Sequence, residues 1–234
     1  MHDELVLANR ILAHEGIVDA YGHVSLRCPG ERTFLLARSR SPALVSSEDF
    51  IEYDFNGTPL NGDTRAGYVE RMIHAAIYAA REDVGSIVHS HAAQILPFTI
   101  VDRPLVPVIH VAGMIGPSVP KWDIADRFGE TDLLVRTIEQ GADLARRLGE
   151  GNCALMRGHG AVVTGRSLKE AVLRSIFLHM NAAAQLQAAS LGACKALSEA
   201  EARLSEEAHV AGHVLDRAWD YFAARAQGGE GTAS

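Results

Sequence analysis

The sequence predicts an α/β fold in which a central, mostly antiparallel sheet is covered by helices. Short runs rich in β-branched and aromatic residues read as strands, and longer stretches with apolar residues at helical spacing read as helices. The two kinds are mixed without strict alternation, which argues against an all-parallel sheet. One strand, Ile87-Val88-His89-Ser90-His91, stands out because its apolar start runs into two histidines.

In order along the chain, Asp3 is placed to cap a first helix with Leu5, Leu7, Ala8, Ile11 and Leu12 on one stripe and Gly16 as its stop. Residues 21–28 and 33–37 read as paired strands around a turn at Pro29-Gly30, and residues 51–55 as a third strand closed by Asn56-Gly57. Thr64 opens a helix expected to reach Arg81, with Val69, Met72, Ile73, Ala76, Ile77 and Ala80 facing inward. On that helix Arg71, His74, Arg81 and Glu82 fit a solvated face. After the histidine strand, residues 92–98 predict a short helix. Residues 106–111 predict an edge strand, because Pro107 lacks the N–H an inner strand would need. Residues 113–120 read as loop and 131–148 as a long amphipathic helix. Residues 153–156 form a buried strand leading into Arg157-Gly158-His159-Gly160, and 161–164 continue extended. Ser167 with Glu170 forms a capping box for a helix running towards Leu191. A final helix spans 199–226, and the Gly-rich residues 228–234 are expected to be a disordered tail. No linker-like stretch interrupts residues 1–234, so one domain is expected.

Composition narrows the function. At 234 residues the chain can bury about 70–75% of its unfolded surface, enough to fold without disulfides. Its three cysteines (Cys28, Cys153, Cys194) are odd in number and lack CxxC spacing, which suits a reducing, cytoplasmic setting. A net charge of −7 argues against a nucleic-acid partner. The acidic start Met1-His2-Asp3-Glu4 is unlike a signal peptide, and no apolar run is long enough to span a membrane.

In a strand, residues i and i+2 share a face, so His89 and His91 project together. Paired imidazoles on a rigid element make a poor core and a good half of a metal site, although two surface histidines at a strand end are the plain alternative. His159, between two glycines after a strand, offers a third imidazole; alone it would read as a turn residue. Three protein ligands with one open position form the catalytic pattern for a divalent ion. Glu70 lies near the edge of the inward stripe of its helix, where a carboxylate can ligate an ion or act as acid and base.

Taken together, Gly22-His23-Val24-Ser25, Glu70, His89-Ser90-His91 and Arg157-Gly158-His159-Gly160 resemble the class II aldolase/adducin family over roughly residues 5–190. The resemblance implies a three-layer α/β/α sandwich. It implies one divalent ion per subunit (manganese or zinc, with iron or cobalt as alternatives), held by His89, His91 and His159, with Glu70 as a further ligand or the acid/base. It also implies a homo-oligomer, a tetramer or a multiple of one, with sites near subunit boundaries. There Tyr221 is a candidate to reach across; a helix-borne aromatic in the core is the other reading.

The chain departs from the sugar-phosphate members of that family. His23 stands where they carry Asn, Ala37-Arg38-Ser39-Arg40 replaces a Thr-Pro-x-Gly phosphate loop, and Tyr68-Val69 replaces a Ser-Ser pair. A phosphate cradle needs small residues, backbone N–H groups and hydroxyls, whereas arginine suits planar carboxylates. Arg38 and Arg40, unless they are solvated loop charges, would grip a carboxylate, with Ser39 and the catalytic candidate His23 lining the pocket. Residues 34–49 resemble the aromatic-acid decarboxylase branch of the family. The expected reaction is therefore metal-dependent decarboxylation of a hydroxy-substituted aromatic or pyridine dicarboxylate. In it the ion would stabilise the enolate-like charge left as CO₂ departs. The foremost substrate is 3-hydroxy-2-methylpyridine-4,5-dicarboxylate of vitamin B6 degradation, with dihydroxyphthalates alongside. Cleavage of a non-phosphorylated keto acid by an aldolase, dehydration β to a carbonyl, and an adducin-like scaffold without catalysis are the competing readings.

Overall fold

A computed structural model describes residues 1–228. In chain order the strands are β1 (His23–Arg27), β2 (Thr33–Ala37), β3 (Phe50–Asp54), β4 (Ser86–Ser90), β5 (Lys121–Trp122), β6 (Cys153–Met156) and β7 (Gly160–Gly165). They form one sheet of order β3-β2-β1-β4-β7-β6-β5. Every neighbouring pair is antiparallel except β5 and β6. The helices are α1 (His2–His14), α2 (Arg71–Ala80), α3 (Leu96–Ile100), α4 (Ala125–Phe128), α5 (Ile138–Leu148), α6 (Leu168–Ala188), α7 (Glu199–Val210) and α8 (Gly212–Gly228).

Strand alternation sorts the core into two layers. Val24, Leu35, Val88, Leu155 and Val163 pack against α1, α6 and α8. Their neighbours Phe34, Leu36, Ile87, Ala154 and Val162 pack against α2 and α5 on the other face. Each fully buried side chain of this size contributes roughly 1.5–3 kcal/mol. The result is the three-layer α/β/α sandwich that the family resemblance implied. No helix among the described residues is long and apolar enough to cross a membrane. Cys28, Cys153 and Cys194 are unpaired.

Several expected elements differ, each because tertiary bonds outweigh local preference. The helix expected from Thr64 begins only at Arg71. Upstream, the Ser39 N–H donates to the Ala66 carbonyl and Arg38 bridges Gly67, which holds residues 66–67 out of the helix. Val69, expected to face inward, is exposed. The helix expected from 131 starts at Ile138, where Thr137 and Gln140 form a capping box. Residues 106–111 are not a strand: the Val106 and Val108 N–H groups donate to Gln185 and Asn181 on α6. The helix expected over 199–226 breaks at Ala211 into α7 and α8. The Lys121–Trp122 strand falls just past the 113–120 loop and was not foreseen. Met1, not Asp3, is the N-cap of α1. Ser167 caps α6, but Glu170 accepts from the Arg166 N–H rather than closing the reciprocal box. Gly228 is helical, and the rest of the expected tail lies outside the described residues.

Candidate metal centre

One end of the sheet gathers the polar residues. His89 is in β4, on the same face as Ile87, and His91 follows one residue past the strand end. The β6–β7 connection returns His159 to the same place, and β7 pairs with β4 in the register His89↔Val162 and Ser90↔Ala161. Gly160 permits this closure. A Cβ there would lie 2.2 Å from the Ser90 carbonyl oxygen and 2.9 Å from the His91 ring. Glu70 sits at the N-cap of α2 instead of on its flank.

One ligand atom from each of Glu70, His89, His91 and His159 lies within 4.8 Å of every other. His89 Nε2 is 3.1 Å from His91 Nε2, and Glu70 Oε2 is 3.4 Å from the Nε2 atoms of His89 and His159. Four ligands about 2.1 Å from a tetrahedral ion stand roughly 3.4 Å apart, so these separations fit one shared cation. The outer contacts fit as well. His89 Nδ1 is 3.1 Å from the Ala161 carbonyl and His159 Nδ1 is 2.9 Å from that of Leu133. An Nδ1–H donated to a carbonyl leaves the Nε2 lone pair free for a metal. Glu70 Oε1 accepts from the Val135 N–H at 2.9 Å, which leaves Oε2 facing the imidazoles.

Electrostatics follow this geometry. Burial opposes charge on Glu70, but His89 and His159 outweigh it and hold its carboxyl far below the usual carboxylate range. Burial likewise opposes charge on His159, yet the Glu70 carboxylate prevails and raises it above the ordinary histidine value. Burial, with His89 and His159 adding to it, lowers His91 to about 4.

The cluster opens onto a cavity of about 420 Å³ whose lining includes Tyr21, His23, Ser39, Arg40, Tyr68, Glu70, His91 and Leu134. Arg40 donates its Nε to the Leu44 carbonyl, and the same nitrogen stands 3.6 Å from Asp49 Oδ2. Ser39 is beside it. Arg38, expected to grip a carboxylate, is engaged elsewhere: its Nε donates to Asp49 at 2.6 Å, and it is absent from the cavity lining. Burial disfavours charge on Asp49, but Ser46 and Arg38 hold its carboxyl at about 2, so this pair stays intact. Tyr221 is exposed on α8 with the Arg225 guanidinium over its ring, and it does not line the cavity of its own chain.

His23 faces α2 across the sheet, and there the structure adds residues that sequence reasoning missed. His23 Nδ1 is 2.7 Å from His74 Nε2, and His74 Nδ1 is 2.6 Å from Ser25 Oγ, which is 2.8 Å from Tyr78 Oη. His74, assigned to the solvated face, is fully buried. Its signal was the spacing: His74 and Tyr78 are four apart on a helix, opposite His23 and Ser25, two apart on a strand.

The chain matches the family described as Class II Aldolase and Adducin N-terminal domain over residues 3–186. It is 40% identical over 200 residues to decarboxylase tropJ of Talaromyces stipitatus, covering 80% of this chain and 75% of that protein. It is 30% identical over 205 residues to 3,4-dihydroxyphthalate decarboxylase of Arthrobacter keyseri, covering 81% and 79%. An aldolase II superfamily protein from Pseudomonas syringae superposes with a TM-score of 0.81 at 21% identity, covering 97% of this chain and 92% of that one.

Proposed function

Since the chain belongs to the class II aldolase and adducin family, we propose that it is a metal-dependent carboxy-lyase acting on a hydroxy-substituted aromatic carboxylate. The observation that carries this reading is the convergence of three imidazoles and a carboxylate at a cavity that Arg40 also lines. His89, His91 and His159 would hold the ion, with Glu70 beside it. When bound, the ion supplies Lewis-acid stabilisation of negative charge on a substrate oxygen.

The residues of the chain supply the rest. Arg40, with Ser39, grips a carboxylate remote from the one that is lost, and orients the ring. Glu70 is ionised in the resting site, so it begins as a base. Its Oε2 accepts the proton of the substrate hydroxyl and returns it to the ring carbon as CO₂ leaves. The product oxygen regains a proton from water on release. Ortho-hydroxy aromatic dicarboxylates fit this scheme, dihydroxyphthalates and 3-hydroxy-2-methylpyridine-4,5-dicarboxylate among them. Two relatives are named as decarboxylases, one of them for a dihydroxyphthalate, which supports the class.

Manganese and zinc both suit three imidazoles and a carboxylate. The working form is a homo-oligomer with Tyr221, exposed on α8, meeting a neighbouring subunit.

The test is to incubate the protein with a panel of these acids, with and without chelator, while following both CO₂ and aldehyde. Chelator-sensitive CO₂ release is expected; aldehyde release without CO₂ from a keto acid would replace the reading with an aldolase. Glu70→Gln is expected to keep its metal and lose about 10²–10⁴-fold in kcat. Wild-type turnover in that variant would remove Glu70 from the proton path.

A further inference from the structure

The buried chain His23–His74–Ser25–Tyr78 has a direction, and the direction decides what the cavity meets. Each member is neutral and each link carries one hydrogen. Buried His74 is held down to about 3, chiefly by desolvation. The hydrogens therefore point all one way or all the other. If they run outward from His23, the last one, on Tyr78 Oη, must go to the Gly85 carbonyl at 3.5 Å. That carbonyl already accepts the Arg27 backbone N–H at 2.8 Å. The buried hydroxyl would then rest on one long bond to a shared acceptor, which is the weaker arrangement. If they run inward, Tyr78 donates to Ser25, Ser25 to His74 Nδ1, and His74 Nε2–H to His23 Nδ1, all at 2.6–2.8 Å. The Arg27 guanidinium lies 4.8 Å from the Tyr78 ring centroid, where its charge makes the phenol a better donor. The inward direction strands no hydroxyl, and leaves the one unshared hydrogen on Nε2 of His23, which lines the cavity.

We propose that Tyr78, Ser25 and His74 are positioning residues that lock His23 in its Nε2–H tautomer, so that the cavity meets a neutral N–H donor and not a base. His23 Nε2 has no partner of its own among the described residues, and His23 lines the cavity. Its ring centroid is 5.1 Å from that of His89, so the donor stands beside the metal cluster. The substrate group seated there must be a hydrogen-bond acceptor, a carboxylate or a ring oxygen. This refines the substrate class and rests on reading the cavity as the substrate site. The proton economy of that site then divides cleanly: Glu70 accepts and returns a proton, and His23 only donates a hydrogen bond.

Neutron diffraction from deuterium-exchanged crystals of the zinc-loaded protein tests the tautomer without any substrate. Deuterium is expected on Nε2 of both His23 and His74 and on neither Nδ1; deuterium on His23 Nδ1 overturns the proposal. That result stands or falls independently of the decarboxylase reading. Kinetics test the consequence. Tyr78→Phe is expected to lower kcat/KM about tenfold with full metal content, and to add nothing further in a His23→Gln background. A merely structural Tyr78 would give the same loss in both backgrounds, which would also overturn the proposal.

Discussion

At the scale of single residues, a cation at this cluster would compete with protons for the same lone pairs. His159 titrates above the ordinary histidine value of 6.5 because Glu70 faces it. A metal needs that imidazole neutral, so acid opposes binding. Apparent metal affinity should start to fall at a pH above 6.5 and then drop about tenfold per unit, one proton displacing one ion. His91, held near 4, joins only in stronger acid. Equilibrium dialysis across pH 5–8 measures the slope, and a flat profile would mean that His159 does not ligate. The clustering of His89, His91 and His159 was legible from spacing and from glycine flanks. His74 was not, because helical periodicity assigns faces to a helix that has two. α2 is buried nearly all round from Ile73 to Tyr78, so a polar residue there has to find a partner inside.

At the scale of elements, the site depends on how closely backbones approach. Gly160 begins β7 against the Ser90 carbonyl, and a side chain there has no room. Gly160→Ala should cost roughly 1–3 kcal/mol in urea unfolding, as overpacking does. It should also lower metal occupancy, because relieving the clash moves His91 or His159. Occupancy unchanged beside a lost kcal/mol would separate the hairpin from the site. Glu70 shows why element boundaries were harder to read than element types. Its identity stood out in the sequence, yet periodicity carried the helix back through it to Thr64. The structure starts α2 one residue after Glu70, because Arg38 and Ser39, just past β2, capture residues 66–67. That shift turns Glu70 from a flank residue into one reached by the Val135 N–H. The irregular stretch before α5 delivers Val135, and it exists because Thr137 and Gln140 cap the helix there.

At the scale of the molecule, the two apolar layers do not involve the ion, so folding and metal binding are separable. Chelation should leave far-UV circular dichroism at 25 °C intact. An ion held at a hundredfold excess over its Kd stabilises the native state by about 2.7 kcal/mol. For a chain of this size that is a loss of roughly 5–10 °C in melting temperature on chelation, read by calorimetry. Collapse of the circular dichroism on chelation would instead make the ion part of the core. The sheet was legible because alternation along β4, β6 and β7 is a local property. The outer strand β5 was not, because two residues beside β6 carry no period of their own.

The four clustered donor groups come from residues 70, 89, 91 and 159, and the last of them arrives only through β7, which lies between β4 and β6. A nascent chain on the ribosome therefore has no complete chelate until about two-thirds of it has been synthesised and β7 has slotted home. Any ion this cluster takes up is therefore captured late in the life of each copy, and a copy terminated before β7 never assembles the four donors.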